Sequence, residues 1–269
     1  IASEDHDWEE ADHTHLLDLD NELVTFRVPA QEGMVNRPLH RIPLEDGLEE
    51  ALRGFLGTLP ETDFSPPLAD LLQEAYGTGA TLSGGFREVF SHLLKEYPVA
   101  FVDAANPALK TASLPILFRE LDEAPSMEAT LQRTASRLEQ EGYHLQVPIL
   151  EGGINLFFEG GQGRDRLYRE GDGFRLNRAD VSMSLAEVRS ATQADPSLLS
   201  PNVLLRPVVE SALFPTLCYV GGPGEMAYFA QLKEFFQGHG LEMPLVYPRY
   251  SVTLLESKIE KVLAKFRRS

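Results

Sequence analysis

The feature that most constrains the fold is a short apolar run that passes through a glycine-rich turn into an amphipathic helix. Residues 216–220 form the apolar run, residues 221–224 are Gly-Gly-Pro-Gly, and residues 226–236 carry aromatic and leucine side chains at helical spacing. A further short apolar run follows at residues 244–248. Buried strands that alternate with helices in this way are typical of a parallel α/β sheet.

Another candidate strand lies earlier in the chain, at residues 99–103, between two helical stretches. Asp103 ends this run, and Asn106 follows it three residues later. Open α/β sheets bind ligands at the carboxyl ends of their parallel strands, so we expect both side chains to lie near a binding site.

The remaining segments show two different periods. Residues 45–95 have helical spacing, and so do residues 126–141, where Ser126 is a suitable N-cap. Residues 16–28 resemble a hairpin. Alternating runs separated by glycines predict an antiparallel meander, whose arginine-rich part over 165–178 fits an exposed ribbon. The predicted meander strands are residues 144–150, 154–159, 164–170 and 173–177.

Negative charge is concentrated near the start of the chain. The sequence has 41 acidic and 24 basic residues, a formal net charge of −17, and residues 1–26 contain no Lys or Arg. Such a chain repels phosphates, which argues against non-specific binding to nucleic acid or anionic lipid. The single cysteine, Cys218, excludes an internal disulfide and is expected to be a small core residue. No apolar run approaches the roughly 20 residues that a membrane-spanning helix needs.

The acidic N-terminal segment contains a candidate acid–base group. His6 lies between Asp5 and Asp7, and the two carboxylates are expected to favour its charged form, which suits proton transfer near neutral pH. An exposed polar loop is the alternative interpretation. His13 and His15 would point to one face of a strand, so a metal site is a further alternative, although no known metal-ligand spacing supports it.

The glycine turn matches the pattern G-x-G-x-x-A at residues 222–227. Backbone N–H groups of Gly222 and Gly224 could hold an anion there. A nicotinamide site would also need an acidic residue at the end of the next strand, where this chain has Arg249. Glu225 would oppose a pyrophosphate and is better suited to hold an ammonium group or to act as a base. The alternative is a tight turn with a glutamate stabilised by the helix dipole.

Two arginines are candidate anion clamps. Arg206 follows Asn202 by four residues, which places both side chains on one side of a helix, and its guanidinium fork suits a carboxylate or a phosphate. Arg249, beside Pro248 at a predicted strand end, suits the same ligands. An internal salt bridge is the alternative for each arginine.

Several of these motifs occur together in an order that resembles one protein family. They are Glu4 to Asp7, Ile154-Asn155 before the ribbon, Asn202 to Pro207, Gly222 to Glu225 with Tyr228, and Pro248-Arg249. In this order they resemble the bacillithiol biosynthesis cysteine-adding enzymes, the BshC cysteine ligases, over essentially the whole chain. The resemblance implies a cytoplasmic enzyme that joins cysteine to glucosaminyl malate in the last step of the pathway.

The resemblance also implies the architecture: an α/β fold with a Rossmann-like parallel core, incomplete at the N-terminus, a helical insertion, an antiparallel β insertion and a C-terminal coiled coil that pairs subunits. We therefore expect an internal fragment of a longer chain, and a homodimer in the full-length protein. The predicted division is 1–28 for part of the core with a hairpin, 29–98 for the helical insertion, 99–125 for a core strand and helix, 126–183 for a helix and the β insertion, 184–253 for the core, and 254–269 for the start of the coiled coil.

The residues in the matching motifs receive predicted roles from their chemistry. His6, Asp7 and Glu225 are the predicted catalytic residues, and ATP or ADP is the expected nucleotide, with no metal predicted. The alternatives from other classes are a non-catalytic nucleotide- or sugar-binding module and a metal-dependent hydrolase that uses the N-terminal His/Asp cluster. The predicted substrate-binding residues are Ser3, Glu4, Asp5, Asn155, Asn202, Arg206, Gly222, Gly224, Tyr228 and Arg249.

Overall fold

The structure, a computed structural model, describes residues 3–20, 22–28, 36–44, 47–77 and 79–266. It is an α/β protein with both antiparallel and parallel strand pairs. The helices are α1 (Trp8–Ala11), α2 (Gly47–Leu56), α3 (Ser65–Ala75), α4 (Leu82–Leu93), α5 (Pro107–Asp122), α6 (Ala124–Gln140), α7 (Leu185–Ala194), α8 (Arg206–Leu213), α9 (Pro223–Phe229), α10 (Lys233–Gly238) and α11 (Ser257–Phe266). The strands are β1 (His13–Leu17), β2 (Leu23–Arg27), β3 (Gly153–Gly160), β4 (Gly163–Glu170), β5 (Gly173–Leu176), β6 (Val181–Ser184), β7 (Leu199–Pro201), β8 (Cys218–Gly221) and β9 (Leu245–Pro248).

The N-terminal part combines a hairpin with three helices. Strands β1 and β2 pair antiparallel with Leu17 opposite Leu23, which confirms the predicted hairpin, although Asn21 of its turn lies outside the described residues. Helices α2, α3 and α4 confirm the helical spacing over 45–95. A small core around Trp8 and Ile42 holds the hairpin to α4 and to the 3-10 turn before α2.

Five antiparallel strands form the largest sheet, in the spatial order β6-β5-β4-β3-β7. Tight two-residue turns connect β3 to β4 and β4 to β5, and Gly171 in the second turn has a φ of +56°, a conformation that glycine adopts at little cost. Three of the four predicted meander runs are therefore confirmed as strands.

The fourth predicted meander run, residues 144–150, is not a strand. Both backbone polar groups of Val147 bond to the buried side chain of Gln231, which accepts from the N–H at 3.3 Å and donates to the carbonyl at 2.9 Å. Because a side chain satisfies this backbone, the alternating pattern does not need a ladder partner.

One face of the meander is buried, so the segment over 165–178 is not an exposed ribbon as predicted. Leu167, Phe174 and Leu176 pack into the main core together with residues of α5 and α6. Asp165 is also buried and accepts backbone hydrogen bonds from Arg178 and Ala179. The arginines of this segment therefore alternate with core residues instead of covering a free surface.

The two runs predicted as strands near residues 216–220 and 244–248 are confirmed as β8 and β9, which pair in parallel with Gly221 opposite Pro248. The aromatic side chains of residues 228–236 are buried, but the predicted single helix is two helices, α9 and α10. Cys218 is exposed and is not the core residue that was predicted. The reason is that, among the described residues, β8 belongs to a sheet of only two strands, which leaves this part of the chain open to solvent. Leu217, just before β8, is 87% exposed.

Two further boundaries differ from the sequence prediction. Residues 99–103 lie in a loop and in none of the three sheets of the described ranges, and Val99 and Val102 are exposed. A short apolar run does not by itself specify a ladder partner or a place in the core. Helix α6 begins at Ala124, with Pro125 in its first turn, so Ser126 is inside the helix and is not its N-cap. Asn106 does cap α5, where its side chain accepts from the N–H of Ala108.

Helix α11 confirms the helical pattern at the end of the chain, and its side chains are exposed throughout. None of the helices in the described ranges is long and apolar enough to cross a membrane.

Candidate active site

An open cleft of about 800 Å³ brings most of the predicted motif residues together. The N-terminal segment, α5, β3, β4, α8, β8 and α9 all contribute to its lining, so residues more than 200 positions apart face the same space. The polar and charged side chains that line it are Glu4, Asp5, His6, Asp7, Lys110, Ser113, Arg164, Arg166, Asn202, Arg206, Glu210, Thr216, Tyr219 and Glu225.

His6 is held in the cleft by Arg164 of β4. Arg164 is only 8% exposed, and its guanidinium has three contacts at hydrogen-bond distance: Nε donates to Ser200 Oγ at 2.9 Å, Nη2 donates to the Pro201 carbonyl at 2.9 Å, and Nη1 lies 3.2 Å from His6 Nδ1. The guanidinium also lies over the ring of Phe157, 4.1 Å from its centroid. Burial lowers the pKa of Arg164, and neighbouring acidic groups oppose this.

The predicted preference of His6 for its charged form is wrong. Burial and the positive charge of Arg164 lower the pKa of His6 below 6.5, and together they outweigh Asp7 and Asp5, which raise it. The carboxylates were visible in the sequence, whereas the arginine that opposes them comes from a strand 158 positions away. His6 is therefore mostly neutral at pH 7.

The other residues of the N-terminal motif anchor the segment. Ser3 is buried, does not line the cleft, and donates a hydrogen bond to Asp103. Glu4 forms an ion pair with Lys110 of α5, which is 3% exposed and also donates to the Leu199 carbonyl. These contacts hold the segment against α5 and β7, and they leave Asp7 exposed at the cleft.

Glu225 occupies the glycine turn at the start of α9. Its Oε2 accepts from the Gly222 N–H at 2.8 Å and its Oε1 accepts from the Tyr219 hydroxyl at 2.6 Å. Burial raises the pKa of Glu225, but these two hydrogen bonds and the charges of Arg206 and Arg249 outweigh it, so the pKa lies below its usual value. Glu225 is thus an ionised carboxylate, suited to an ammonium group, and it occupies the N–H that a phosphate would need.

Arg206 has intramolecular partners for most of its guanidinium. It forms an ion pair with Glu210 at 2.6 Å, one turn further along α8, and it donates to the hydroxyls of Tyr228 at 3.0 Å and Tyr219 at 3.3 Å. Burial lowers the pKa of Arg206, but Glu210 and the Tyr219 hydroxyl outweigh it and raise the pKa above its usual value. Burial also raises the pKa of Tyr228, so that side chain is a neutral phenol that anchors Arg206.

The two predicted asparagines belong to a buried polar network. Asn202 Oδ1 accepts from the N–H groups of Leu204 and Leu205, and its Nδ2 donates to Asn155 Oδ1 at 2.9 Å. Asn155 in turn donates to Glu120, which also contacts the fully buried His239. Asn202 reaches the edge of the cleft, and Asn155 does not line it.

The remaining predicted residues surround the glycine turn without lining the cleft. A Cβ atom added to Gly222 would lie 2.8 Å from Nη2 of Arg249, so this position is compatible only with glycine at the present guanidinium position. Arg249 is otherwise exposed, and Gly224 is exposed as well. The residues outside the cleft lining are Ser3, Asn155, Gly222, Gly224, Tyr228 and Arg249.

The N-terminal cluster has the donors of a cation site but an unfavourable charge beside it. Asp5, His6 and Asp7 each offer one ligand atom, and these atoms lie within 4.8 Å of one another. Arg164 Nη1 is 3.2 Å from His6 Nδ1 and 3.9 Å from Asp5 Oδ1, so a fixed positive charge already faces the same groups. This arrangement argues against a metal ion at the cluster.

His13 and His15 share one face of β1, as predicted, with ring centroids 5.0 Å apart. Nδ1 of His13 bonds to Asp12 and Nδ1 of His15 bonds to Thr25. Both rings lie outside the lining of the cleft.

Five lining residues that carry charge into the cleft or contact its charged side chains were not among the predicted site residues. Lys110, Arg164 and Arg166 supply most of the positive charge of the cleft. Phe157 contacts the guanidinium groups of Arg164 and Arg166. Tyr219 forms hydrogen bonds with Arg206 and Glu225. Their local patterns are those of ordinary helix and strand residues. The only signal was the unusual density of arginine over 164–178.

The fold and the cleft define an α/β protein with a polar, mixed-charge ligand site, and comparison with known proteins gives the family. A family model described as the BshC N-terminal Rossmann-like domain of bacillithiol biosynthesis matches residues 1–250. The chain is 33% identical to the "Putative cysteine ligase BshC" of Salinibacter ruber, covering 99% of this chain and 48% of that protein. Similar relatives with the same name occur in Chlorobaculum tepidum (33%; 98% and 47% covered) and Koribacter versatilis (32%; 99% and 49% covered).

This chain belongs to the BshC family, and residues 1–250 match the model of its N-terminal Rossmann-like domain. It spans about half the length of the curated relatives it matches.

Proposed function

We propose that this chain forms the substrate cleft of a cysteine ligase that joins the carboxylate of L-cysteine to the amine of glucosaminyl malate in the last step of bacillithiol biosynthesis. The observation that carries the proposal is the cleft, where residues 4–7, the pair Arg164 and Arg166, and Glu225 meet from distant parts of the chain. The names of the relatives agree with this activity.

The charges of the cleft suit both substrates. Glucosaminyl malate carries carboxylates and an ammonium group, and cysteine carries one of each. Arg166 is our assigned contact for a malate carboxylate, because its guanidinium lines the cleft beside Phe157 and donates to one protein group, the Ile154 carbonyl at 3.3 Å. Arg164 and Arg206 each have at least three protein partners. Ionised Glu225 is the assigned contact for an ammonium group.

Amide formation requires an activated carboxylate and a free amine, and we propose ATP as the activating co-substrate. The amine lone pair attacks the activated carbonyl carbon, the C–N bond forms, and the activating group leaves with the electrons of its C–O bond. The proton lost by the amine needs an acceptor. We assign that role to Asp7, whose carboxylate has no hydrogen-bond partner in the described ranges, whereas two donors hold Glu225 ionised.

We also propose that the natural protein is a homodimer paired through α11. The apolar residues of this helix repeat at spacings of three and four, and they remain exposed. Within the helix they are Ile259, Val262, Leu263 and Phe266, and Leu255 lies just before the helix begins.

The proposal is tested by incubating the natural protein that carries this chain with cysteine, glucosaminyl malate and ATP, and by following the thiol product by mass spectrometry. The expected result is product whose formation requires ATP and releases ADP or AMP. Binding of the sugar without product would favour the non-catalytic module. Bound metal by elemental analysis, with hydrolysis in place of ligation, would favour the hydrolase.

A further inference from the structure

We propose that Arg164 is a positioning residue that fixes His6 as the neutral ring protonated on Nε2, so that His6 donates a hydrogen bond to a substrate oxygen and is not the base of the reaction. The tautomer stands on the structure of the chain alone. The role toward the substrate rests on the proposed ligase function.

In the Arg164–His6 contact, only the arginine can be the hydrogen-bond donor. A guanidinium carries N–H donors and no acceptor, so Nη1 can only donate across the 3.2 Å to His6 Nδ1. Nδ1 must then present its lone pair, and a neutral imidazole with an unprotonated Nδ1 carries its proton on Nε2.

The guanidinium of Arg164, which is the donor, is held in place by the protein. Ser200 and the Pro201 carbonyl bind the other two nitrogens of Arg164, and Phe157 supports the face of its guanidinium. Phe157 also contacts the His6 ring, at 5.9 Å between centroids. Phe157 therefore contacts both the arginine and the imidazole, and rotation of Arg164 away from His6 would break its hydrogen bonds to Ser200 and to the Pro201 carbonyl.

Charges of both signs face His6. Asp5, whose Oδ1 is 3.6 Å from Nδ1, and Asp7 favour a charged ring, while Arg164 and Arg178 disfavour it. Burial adds to the effect of the arginines, and the pKa of His6 falls below 6.5 as a result. A neutral ring at pH 7 agrees with the contact geometry.

The consequence is a division of roles within the N-terminal motif. Nε2 of His6 has no hydrogen-bond partner in the described part of the chain, and the residue lines the cleft. A neutral imidazole N–H can stabilise negative charge on a carbonyl or phosphoryl oxygen without giving up its proton. Asp7, one position further on, remains available to take the amine proton.

The tautomer is tested by ¹H–¹⁵N correlation of the histidine ring nitrogens in the natural protein, with His6→Gln to assign the signal. We expect the Nε2–H tautomer at neutral pH and a protonation midpoint below 6.5. In Arg164→Met the midpoint should rise and the two tautomers should mix, while Arg164→Lys should restore part of the shift. Arg175→Met, at a half-buried arginine of β5 outside the cleft, is the control and should leave the His6 signals unchanged. An Nδ1–H tautomer in the wild type would overturn the proposal even if Arg164→Met does not fold.

The donor role is tested separately by product formation. His6→Gln keeps an N–H donor and cannot act as a base, so it should retain at least about tenfold more activity than His6→Ala. Equal activity of the two variants would overturn the donor role. Absence of ligation by the wild type would instead overturn the proposed function, and the tautomer measurement would still stand.

Discussion

The Tyr219 hydroxyl donates to Oε1 of Glu225 at 2.6 Å and at the same time accepts a hydrogen bond from Arg206 at 3.3 Å. The Tyr219 phenol thus connects Arg206 of α8 to Glu225 of the glycine turn, and both of these side chains line the cleft. The three side chains come from α8, β8 and α9, so their arrangement depends on the packing of all three elements.

Tyr219→Phe should raise the pKa of Glu225 towards the ordinary glutamate value of about 4.5, because it removes one of the two hydrogen bonds that favour the carboxylate. A lowered folded-state pKa contributes stability above the unfolded-state value, and this contribution is lost as the pH falls through the folded-state pKa. The variant should therefore lose less stability than the wild type on acidification below pH 4.5. A ¹³C titration of the Glu225 carboxyl measures the shift, with Tyr143→Phe as an exposed control. An unchanged midpoint would show that the phenol does not stabilise the ionised form.

Ser184→Ala should lower the free energy of unfolding by about 1 kcal/mol. Ser184 Oγ accepts from the Glu187 N–H, and the Glu187 carboxylate accepts from the Ser184 N–H, so the substitution breaks a capping box at the start of α7. Ser126→Ala is the matched control, because Ser126 lies inside the first turn of α6, and it should change stability by less than about 0.5 kcal/mol. Urea denaturation of both variants measures the difference, and the reverse order would restore Ser126 as the cap.

Asn202→Ala should lower the free energy of unfolding by about 1–3 kcal/mol in the absence of any substrate. The side chain satisfies two N–H groups at the start of α8 and the buried amide of Asn155, and alanine leaves these groups unpaired. Asn177→Ala, at an exposed position after β5, serves as the control. If Asn202→Ala kept full stability and lost only substrate affinity, the predicted ligand-orienting role would be preferred to the structural one.

These examples indicate how far the sequence predicts this protein. The glycine turn, the buried helical segment after it and the two strands β8 and β9 were predictable because each depends on local spacing and turn chemistry. Of the site, the N-terminal motif, Arg206 and Glu225 could be selected because they lie in short motifs with recognisable chemistry.

The rest depends on contacts that local patterns do not encode. Arg164 reaches His6 across 158 positions and Lys110 reaches Glu4 across 106, and each contact changed the interpretation of a motif residue. Asn155 was predicted as a ligand contact, but it is bonded to Glu120 and Asn202 in the core. A polar residue in a strand looks the same in sequence whether its partner is a substrate or another buried side chain.

Arg166→Met should raise the KM for glucosaminyl malate by about 10- to 100-fold and change kcat much less. The substitution removes the cation that we assign to a malate carboxylate and keeps an apolar side chain against Phe157. The KM for cysteine should be unaffected, which distinguishes a substrate contact from a loss of folded protein. Arg175→Met on β5 is the control, since that arginine pairs with exposed acidic groups outside the cleft. Equal increases in both KM values would argue against the assignment.

The central claim is that the cleft formed by residues 4–7 and Glu225 is the ligase site. The most direct measurement is the rate of bacillithiol formation from cysteine and glucosaminyl malate by His6→Ala and Glu225→Gln in the natural protein. His15→Ala and Glu242→Gln, both exposed and outside the cleft, are the matched controls. We predict a loss of about 100-fold or more in each cleft variant and wild-type rates in both controls. Wild-type turnover by both folded cleft variants would contradict the claim.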